Sequence, residues 1–192
     1  MSPFLPTLFT VALVELGGAN AQFSGSLVAR SASPTLALRA LAAISAVVMC
    51  LAAFGGHMLA AFEPMSARAG LLLLGMALMW SALSQFRALK PVAAIEGKSL
   101  SVIALRGFAR IAMNGTAGLP VFAIGIYSGG SLDALLGAAL GGLLGILVSS
   151  IPPLFFNRRQ TRKMHIDKLR MIAGTVLALA GFYYALGALQ LI

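Results

Sequence analysis

The stretch Glu15-Leu16-Gly17-Gly18-Ala19-Asn20-Ala21-Gln22 puts one carboxylate, two glycines and two amides inside the apolar run 4–29. That run is long enough to cross a bilayer, which takes about 20 residues. At about 1.5 Å per residue, Glu15 is expected close to the membrane midplane. An acid at a helix centre costs roughly 2.5–3.5 kcal/mol on insertion scales, so Glu15 is a candidate functional group. The two glycines predict a weak point in the helix beside it.

The composition is typical of an integral membrane protein. Of the 192 residues, 59% are hydrophobic and 10% are charged, whereas about a quarter of the residues of a soluble domain are charged. The net charge of +9 comes from basic residues between apolar runs, which indicates membrane topology and no nucleic-acid partner. Cys50 is the only cysteine, so an internal disulfide is excluded. No basic residue precedes Arg30, and the first helix is therefore expected to be retained as a span.

Six apolar runs reach or approach the length of a membrane-spanning helix. They cover residues 4–29, 36–62, 67–88, 100–127, 132–156 and 169–192. With their flanks, the odd-numbered connections hold all of the 14 basic residues except Arg68. The positive-inside rule then puts these connections in the cytoplasm and both termini outside. The sequence predicts an all-α, multi-pass protein surrounded by lipid, in a membrane such as the bacterial inner membrane.

The six predicted helices repeat as three plus three. Sliding the second half back by 98 positions (113 − 15) places Met113-Asn114-Gly115 on Glu15-Leu16-Gly17. Three helices per unit is an odd number, so the second unit must enter the membrane inverted. Inverted repeats place a substrate site where two broken helices meet. Pro120 removes the helical partner of the Thr116 carbonyl, which could then face a cavity or an ion there.

The predicted division of the chain is a first repeat (1–88), a cytoplasmic linker (89–99) and a second repeat (100–192). Small residues that recur every four positions predict close helix packing in both repeats. These residues are Gly17, Ala21 and Gly25 in the first repeat and Gly137, Gly141, Gly145 and Ser149 in the second.

The whole chain resembles the small six-helix cation/proton exchangers that include the eukaryotic Golgi manganese transporter, within the lysine-exporter-like superfamily. The shared features are the length, the two three-helix repeats, the basic loop between them and a motif in the first helix of each repeat. In that family the motif reads Glu–apolar–Gly–Asp–basic–Ser/Thr in both copies. The resemblance implies acids that bind manganese or calcium and exchange it for protons.

The two copies of the motif are incomplete in this sequence. The first copy keeps Glu15, Leu16 and Gly17, and Gly18 stands where the family has Asp. The second copy keeps Gly115. Other residues occupy the remaining motif positions, namely Ala19 and Asn20 in the first copy and Met113 and Thr116 in the second. One of the four family carboxylates is therefore present.

The candidate substrate-binding residues belong to the two motif copies or are their polar neighbours. They are Glu15, Gly17, Gly18, Asn20, Gln22, Asn114, Gly115 and Thr116. Glu15 is also the candidate metal ligand and proton carrier, with amide, hydroxyl and carbonyl oxygens as neutral ligands. Arg110 shares a helical face with Arg106 and Met113 and is a candidate charge partner of Glu15. Both an ion site and a structural Glu15–Arg110 pair are compatible with the sequence.

Three functions follow from these observations. The first is a secondary transporter that exchanges a small inorganic cation, manganese or calcium by resemblance, for protons. The second is an exporter of a small anionic or zwitterionic solute held by Arg110 and Glu15. The third is a non-transporting membrane partner subunit. An enzyme is not predicted, since the sequence has no nucleophile–base set, zinc-ligand spacing or phosphate-binding loop, and no cofactor or oligomeric state is predicted either.

Overall fold

The computed structural model describes residues 3–16, 34–62, 66–87, 115–127, 131–155 and 166–190, together with positions 105, 107–109, 111 and 112. These residues form the helices α1 (Phe4–Glu15), α2 (Pro34–Phe62), α3 (Ala67–Phe86), α4 (Gly118–Tyr127), α5 (Leu132–Phe155) and α6 (Ile166–Ala188). The described positions between 105 and 112 are helical as well. The described part of the chain is therefore all-α, as the sequence predicts. The predicted linker 89–99 lies outside the described residues.

Four of the helices are long and apolar enough to cross a membrane, which confirms the prediction of a multi-pass membrane protein. The segments that meet this criterion are Leu38–Phe62, Ala67–Phe86, Leu132–Ile151 and Asp167–Ala188. The helices α1 and α4 are shorter, with 12 and 10 residues. At about 1.5 Å per residue each covers roughly half of a bilayer core. Both helices belong to longer apolar runs that were predicted to span the membrane. The remainder of the first run, 17–29, lies outside the described residues, and the remainder of the second, 100–114, is described only in part.

Serine side chains cap two of the long helices at their N-termini. The Ser66 hydroxyl accepts a hydrogen bond from the Ala69 N–H at the start of α3, with a distance of 3.2 Å. The Ser131 hydroxyl does the same for the Ala134 N–H at the start of α5, also at 3.2 Å. The first N–H groups of a helix have no partner within it, and a serine cap supplies one. These caps explain why α3 and α5 begin where they do.

The helices of the first half of the chain pack mainly against those of the second half. The helix α1 packs on α5, α2 packs on α4 and α5, and α3 packs on α6 and α4. Apolar side chains fill the space between them, including the fully buried Leu41, Met49, Val121 and Ile146. The two halves are thus interleaved in one bundle. Large apolar side chains such as Phe54 and Phe182 are exposed on its outside, as expected for a surface that faces lipid.

Glycines allow the closest approaches between helices. A Cβ atom on Gly75 would lie 2.7 Å from the Gly181 carbonyl oxygen, and one on Gly181 would lie 2.8 Å from the Gly75 carbonyl oxygen. The backbones of α3 and α6 are therefore in contact. Gly141 and Gly145 of α5 face α1 in the same way, which confirms the packing role predicted for these two residues. Gly17, Ala21 and Gly25 lie outside the described residues.

Replacing Gly75 with alanine should lower the free energy of unfolding by about 1–2 kcal/mol, the usual cost of overpacking. The new methyl group would meet backbone atoms of α6, the Gly181 oxygen at 2.7 Å and the Ala185 nitrogen at 2.9 Å. Backbone cannot move aside as a flexible side chain can, so the two helices must separate. Thermal unfolding of the purified protein in detergent measures the effect.

The matched control is Gly187→Ala, because a Cβ atom on Gly187 in α6 has no neighbour within 4 Å among the described residues. This variant should unfold like the wild type or slightly later, since alanine favours a helix more than glycine does. Equal unfolding midpoints for the Gly75 and Gly187 variants would contradict the backbone contact.

Candidate functional site

The helix α1 ends at Glu15, and the side chain of this residue is completely buried. Leu16 turns to an extended conformation with ψ 106°, and its N–H bonds to the Leu13 carbonyl oxygen at 3.3 Å. A helix break beside the acid was predicted from the sequence. Gly17 and Gly18, to which the break was assigned, lie outside the described residues. The acid itself is at the end of the short helix and faces the protein interior.

A second irregular segment meets this helix end from the other half of the chain. Gly115 has φ +63°, a left-handed conformation that glycine adopts without strain, and α4 begins at Gly118. Between them the largely buried Thr116 donates a hydrogen bond from Oγ1 to Oε1 of Glu15, at 3.1 Å. Of the predicted site residues, the structure thus brings Glu15 and Thr116 together and places Gly115 next to them.

The Thr116 carbonyl has a partner from a neighbouring helix. The sequence suggested that Pro120 would free this oxygen to face a cavity or an ion. In the structure the hydroxyl of Ser81, in α3, donates a hydrogen bond to it at 3.1 Å. The same hydroxyl lies 2.8 Å from the Ala77 carbonyl oxygen of its own helix. Because serine has a single O–H, the two carbonyl oxygens share this donor. The Thr116 carbonyl is thus within hydrogen-bond distance of a third helix.

The structure shows where Glu15 lies along α3, and its position at the membrane midplane stays a prediction. The residues around it contact Ser81 and Gln85, which lie in the last two turns of α3, so the acid is nearer the Phe86 end of that helix than its middle. The reason is the offset between helices. A Cβ atom on Gly141, well inside α5, would meet the Phe4 carbonyl oxygen at 2.5 Å, so α1 begins below the end of the bundle. The position of Glu15 along the bundle is therefore set by this offset as well as by its distance from Phe4.

Two polar residues that the sequence analysis did not single out, Gln85 and Arg170, lie beside the same helix end. Gln85 is 3% exposed and Arg170 is 5% exposed. The Gln85 side-chain amide donates to the carbonyl oxygens of Val14 and Leu13, the latter at 3.4 Å. The Nε of Arg170 donates to Oε1 of Gln85 at 3.2 Å. A continuous set of hydrogen bonds thus connects α6, α3 and α1.

Arg170 also binds the C-terminal end of α3. Its Nη2 donates to the carbonyl oxygens of Ser84, at 3.3 Å, and Arg87, at 3.1 Å. The oxygens that accept from this guanidinium in the described part of the chain are all neutral. The C-terminal end of a helix carries a partial negative charge, which stabilises a cation there. Together with the nearby charge of Asp167, this environment explains how the arginine can be buried, although no carboxylate of the described residues is hydrogen-bonded to it.

The remaining predicted site residues lie outside the described residues: Gly17, Gly18, Asn20, Gln22, Asn114 and the candidate charge partner Arg110. Within the described part, no three His, Cys, Asp or Glu side chains come together as a group that could hold a metal ion. Of the predicted site, the described part therefore contains the carboxylate of Glu15 and the hydroxyl of Thr116 that binds it. Such a set can bind a proton or contribute one charged ligand to a cation.

The sequence and the structure were compared with known proteins in three ways. The chain matches no protein family model, no curated protein and no solved structure. The likeness of its motifs to the cation/proton exchangers is thus still an expectation from the sequence.

Proposed function

We propose that this protein is a secondary transporter with six membrane spans in two inverted three-helix repeats, and that Glu15 is its coupling carboxylate. The observation that carries the proposal is the fully buried Glu15 at the end of a short helix, hydrogen-bonded at 3.1 Å to Thr116 from the other half of the chain. Intramembrane acids are costly and mark ion or proton pathways. Broken helices that meet between two repeats form the sites of many secondary transporters.

The packing of the helices supports the inverted repeat. If α1–α3 are exchanged with the three helices of the second half, the pair α1 and α5 becomes the pair α4 and α2, and both pairs are in contact. The exchange swaps α3 with α6, so the contact between these two helices maps onto itself. At that contact the approach is reciprocal, with each of Gly75 and Gly181 lying against the carbonyl oxygen of the other. A twofold axis between α3 and α6 would produce this geometry.

The charge distribution supports the proposed orientation, with both termini outside. The hydrogen bond from Arg170 to the Arg87 carbonyl oxygen puts the end of α3 and the start of α6 on one side of the bundle. Basic residues flank both of these helix ends, whereas Arg68 lies at the opposite end of α3. By the positive-inside rule the side with more arginine and lysine faces the cytoplasm.

The proposed exchange follows from competition for the carboxylate of Glu15. A carboxylate can bind either a proton or a cation through the same oxygen atoms. Binding of the cation therefore requires release of the proton, and the reverse. Manganese or calcium is the cation class that the motif resemblance implies, and both ions prefer oxygen ligands.

The test is proton movement in proteoliposomes that contain the purified protein and a pH-sensitive dye. Addition of Mn²⁺ or Ca²⁺ outside should drive protons out of wild-type vesicles. In Glu15→Gln this exchange should fall at least tenfold, because the amide cannot carry the proton. Asp133→Asn, which removes an exposed carboxylate at the start of α5, should exchange like the wild type. Equal exchange by wild type and Glu15→Gln would remove Glu15 from the mechanism.

An exporter of a small zwitterionic solute is the second candidate. The observation that favours it is that the described residues contain no group of three or more metal-ligating side chains. The same vesicles, loaded with a labelled amino acid such as lysine, distinguish solute export from cation exchange. Efflux of the amino acid without cation exchange would support the exporter. Absence of both fluxes above those of empty vesicles would contradict both transport candidates for these substrates and would support the third function, a membrane partner subunit.

A further inference from the structure

Gln85 and Arg170 form a hydrogen-bonded connection from α6 to the end of α1, immediately before Glu15. We infer that these two side chains are a positioning relay: Arg170 orients the amide of Gln85, and Gln85 fixes the C-terminal end of α1 and with it Glu15. The relay consists of the bonds from Arg170 Nε to Gln85 Oε1, at 3.2 Å, and from the Gln85 amide nitrogen to the carbonyl oxygens of Leu13 and Val14.

The chemistry of arginine determines which way the amide faces. A guanidinium group has only donors, so the oxygen of the Gln85 amide must face Arg170. The amide nitrogen is then on the other side, toward α1. Without the guanidinium the amide could turn over, and its oxygen would lie against the carbonyl oxygens of Leu13 and Val14. Arg170 therefore acts on α1 through Gln85, since its own hydrogen bonds in the described structure go to Gln85, Ser84 and Arg87.

The end of α1 requires such a donor. The last four carbonyl groups of an α-helix have no partner from the helix ladder. Of these, the Leu13 carbonyl accepts a bond from the Leu16 N–H at 3.3 Å, so among the described residues it is the Val14 carbonyl that depends on Gln85. Val14 is 2% exposed, so water cannot easily replace the missing partner. The guanidinium of Arg170 does for α3 what Gln85 does for α1, because it binds the carbonyl oxygens of Ser84 and Arg87. Arg170 thus binds the end of α3 directly and the end of α1 through Gln85.

The consequence for transport rests on the proposed role of Glu15. If this carboxylate exchanges a proton for a cation, its position relative to Thr116 decides how well it does so, and the relay holds that position. A displacement of about 1 Å can cost a hundredfold in a reaction that depends on alignment. The relay concerns the position of the end of α1, so its effect can be tested without measuring transport.

The variant Gln85→Glu separates the two bonds of the relay. A glutamate still accepts a hydrogen bond from Arg170, so α3 and α6 stay connected, but it has no N–H to donate to α1. The protein should therefore fold, because the new ion pair with Arg170 offsets part of the bond lost at α1. Amide hydrogen exchange in the peptide that contains Leu13–Leu16 should become about tenfold faster, as expected for the loss of one buried hydrogen bond. Labelling of Glu15 by a hydrophobic carbodiimide, measured by mass spectrometry, should accelerate by a similar factor.

The matched control is Ser84→Ala, next to Gln85. The Ser84 hydroxyl donates to the Ser81 carbonyl oxygen within α3, at 2.6 Å, and makes no bond to α1, so exchange and labelling should be those of the wild type. A second variant, Gln85→Met, removes both bonds of the relay and should release α1 at least as much as Gln85→Glu. A folded Gln85→Glu protein with wild-type exchange and labelling would overturn the inference. Faster labelling in this variant, together with unchanged flux in Glu15→Gln, would instead support the relay and contradict the proposed function.

Discussion

Replacing Arg170 with methionine should lower the free energy of unfolding by about 3 kcal/mol. The side chain is 5% exposed and donates to three oxygens, those of the Gln85 amide and of the Ser84 and Arg87 carbonyls. Methionine fills a similar volume without a donor, so these acceptors would lose their partner inside the bundle. A buried polar group left without a hydrogen bond costs about 1–3 kcal/mol.

The expected loss is smaller than the sum over three acceptors because two effects oppose it. Removal of a buried charge also removes the cost of taking that charge out of water, which amounts to several kcal/mol for an ion in a protein interior. The carbonyl oxygens of Ser84 and Arg87 lie at the end of α3, where water can partly replace the guanidinium. The Gln85 oxygen, deeper in the bundle, has no such compensation. We therefore expect the hydrogen bonds to outweigh the relief of desolvation.

The unfolding of the Arg170→Met protein can be followed by the fluorescence of Trp80, the only tryptophan in the sequence. Its ring lies 5.6 Å from the guanidinium carbon of Arg87, at the end of α3 that Arg170 holds. The control is Arg39→Met, which removes an exposed arginine at the start of α2 and should change stability by less than about 0.5 kcal/mol. An Arg170 variant as stable as the Arg39 variant would show that the buried bonds add nothing to stability.

The long helices were predictable because their signal is local. The apolar runs 36–62 and 67–88 correspond to α2 (Pro34–Phe62) and α3 (Ala67–Phe86), and the runs in the second half agree similarly with α5 and α6. Length and hydropathy alone select such segments. Glu15 was found for the same reason, since one acid in an apolar run stands out. Thr116 was identified as a candidate site residue because the two halves of the sequence can be aligned.

The rest of the site depends on how the helices are placed against each other. Gln85 and Arg170 lie near the ends of apolar runs, where polar residues are expected at the membrane surface, and no local feature distinguishes a buried one. Arg170 was accordingly grouped with the basic connection. The close contact of α3 and α6 at Gly75 and Gly181 sets which of these residues face inward. The offset of α1 along α5, which helps to set where Glu15 lies along the bundle, is likewise a property of packing.

Replacing Gly145 with valine should displace α1 and disable the site, with a loss of about 3 kcal/mol in the free energy of unfolding. A Cβ atom on Gly145 would lie 2.8 Å from the Val11 Cβ and 2.9 Å from the Leu8 carbonyl oxygen. Two further methyl groups on valine enlarge the overlap. The twelve residues of α1 must then move as a unit away from α5, and this motion carries Glu15 away from Thr116, 3.1 Å distant in the wild type.

Two measurements distinguish this displacement from a general loss of folding. At a temperature where the variant is still folded, amide exchange should accelerate in α1 and stay slow in α3 and α6, whose contact does not involve Gly145. Coupled flux in proteoliposomes should fall as far as in Glu15→Gln, although the carboxylate is intact. Gly118→Val is the control, because a Cβ atom at Gly118 would meet only the Ala52 Cβ, at 4.0 Å, among the described atoms. Full flux in Gly145→Val would mean that the position of α1 on α5 does not determine the function of Glu15.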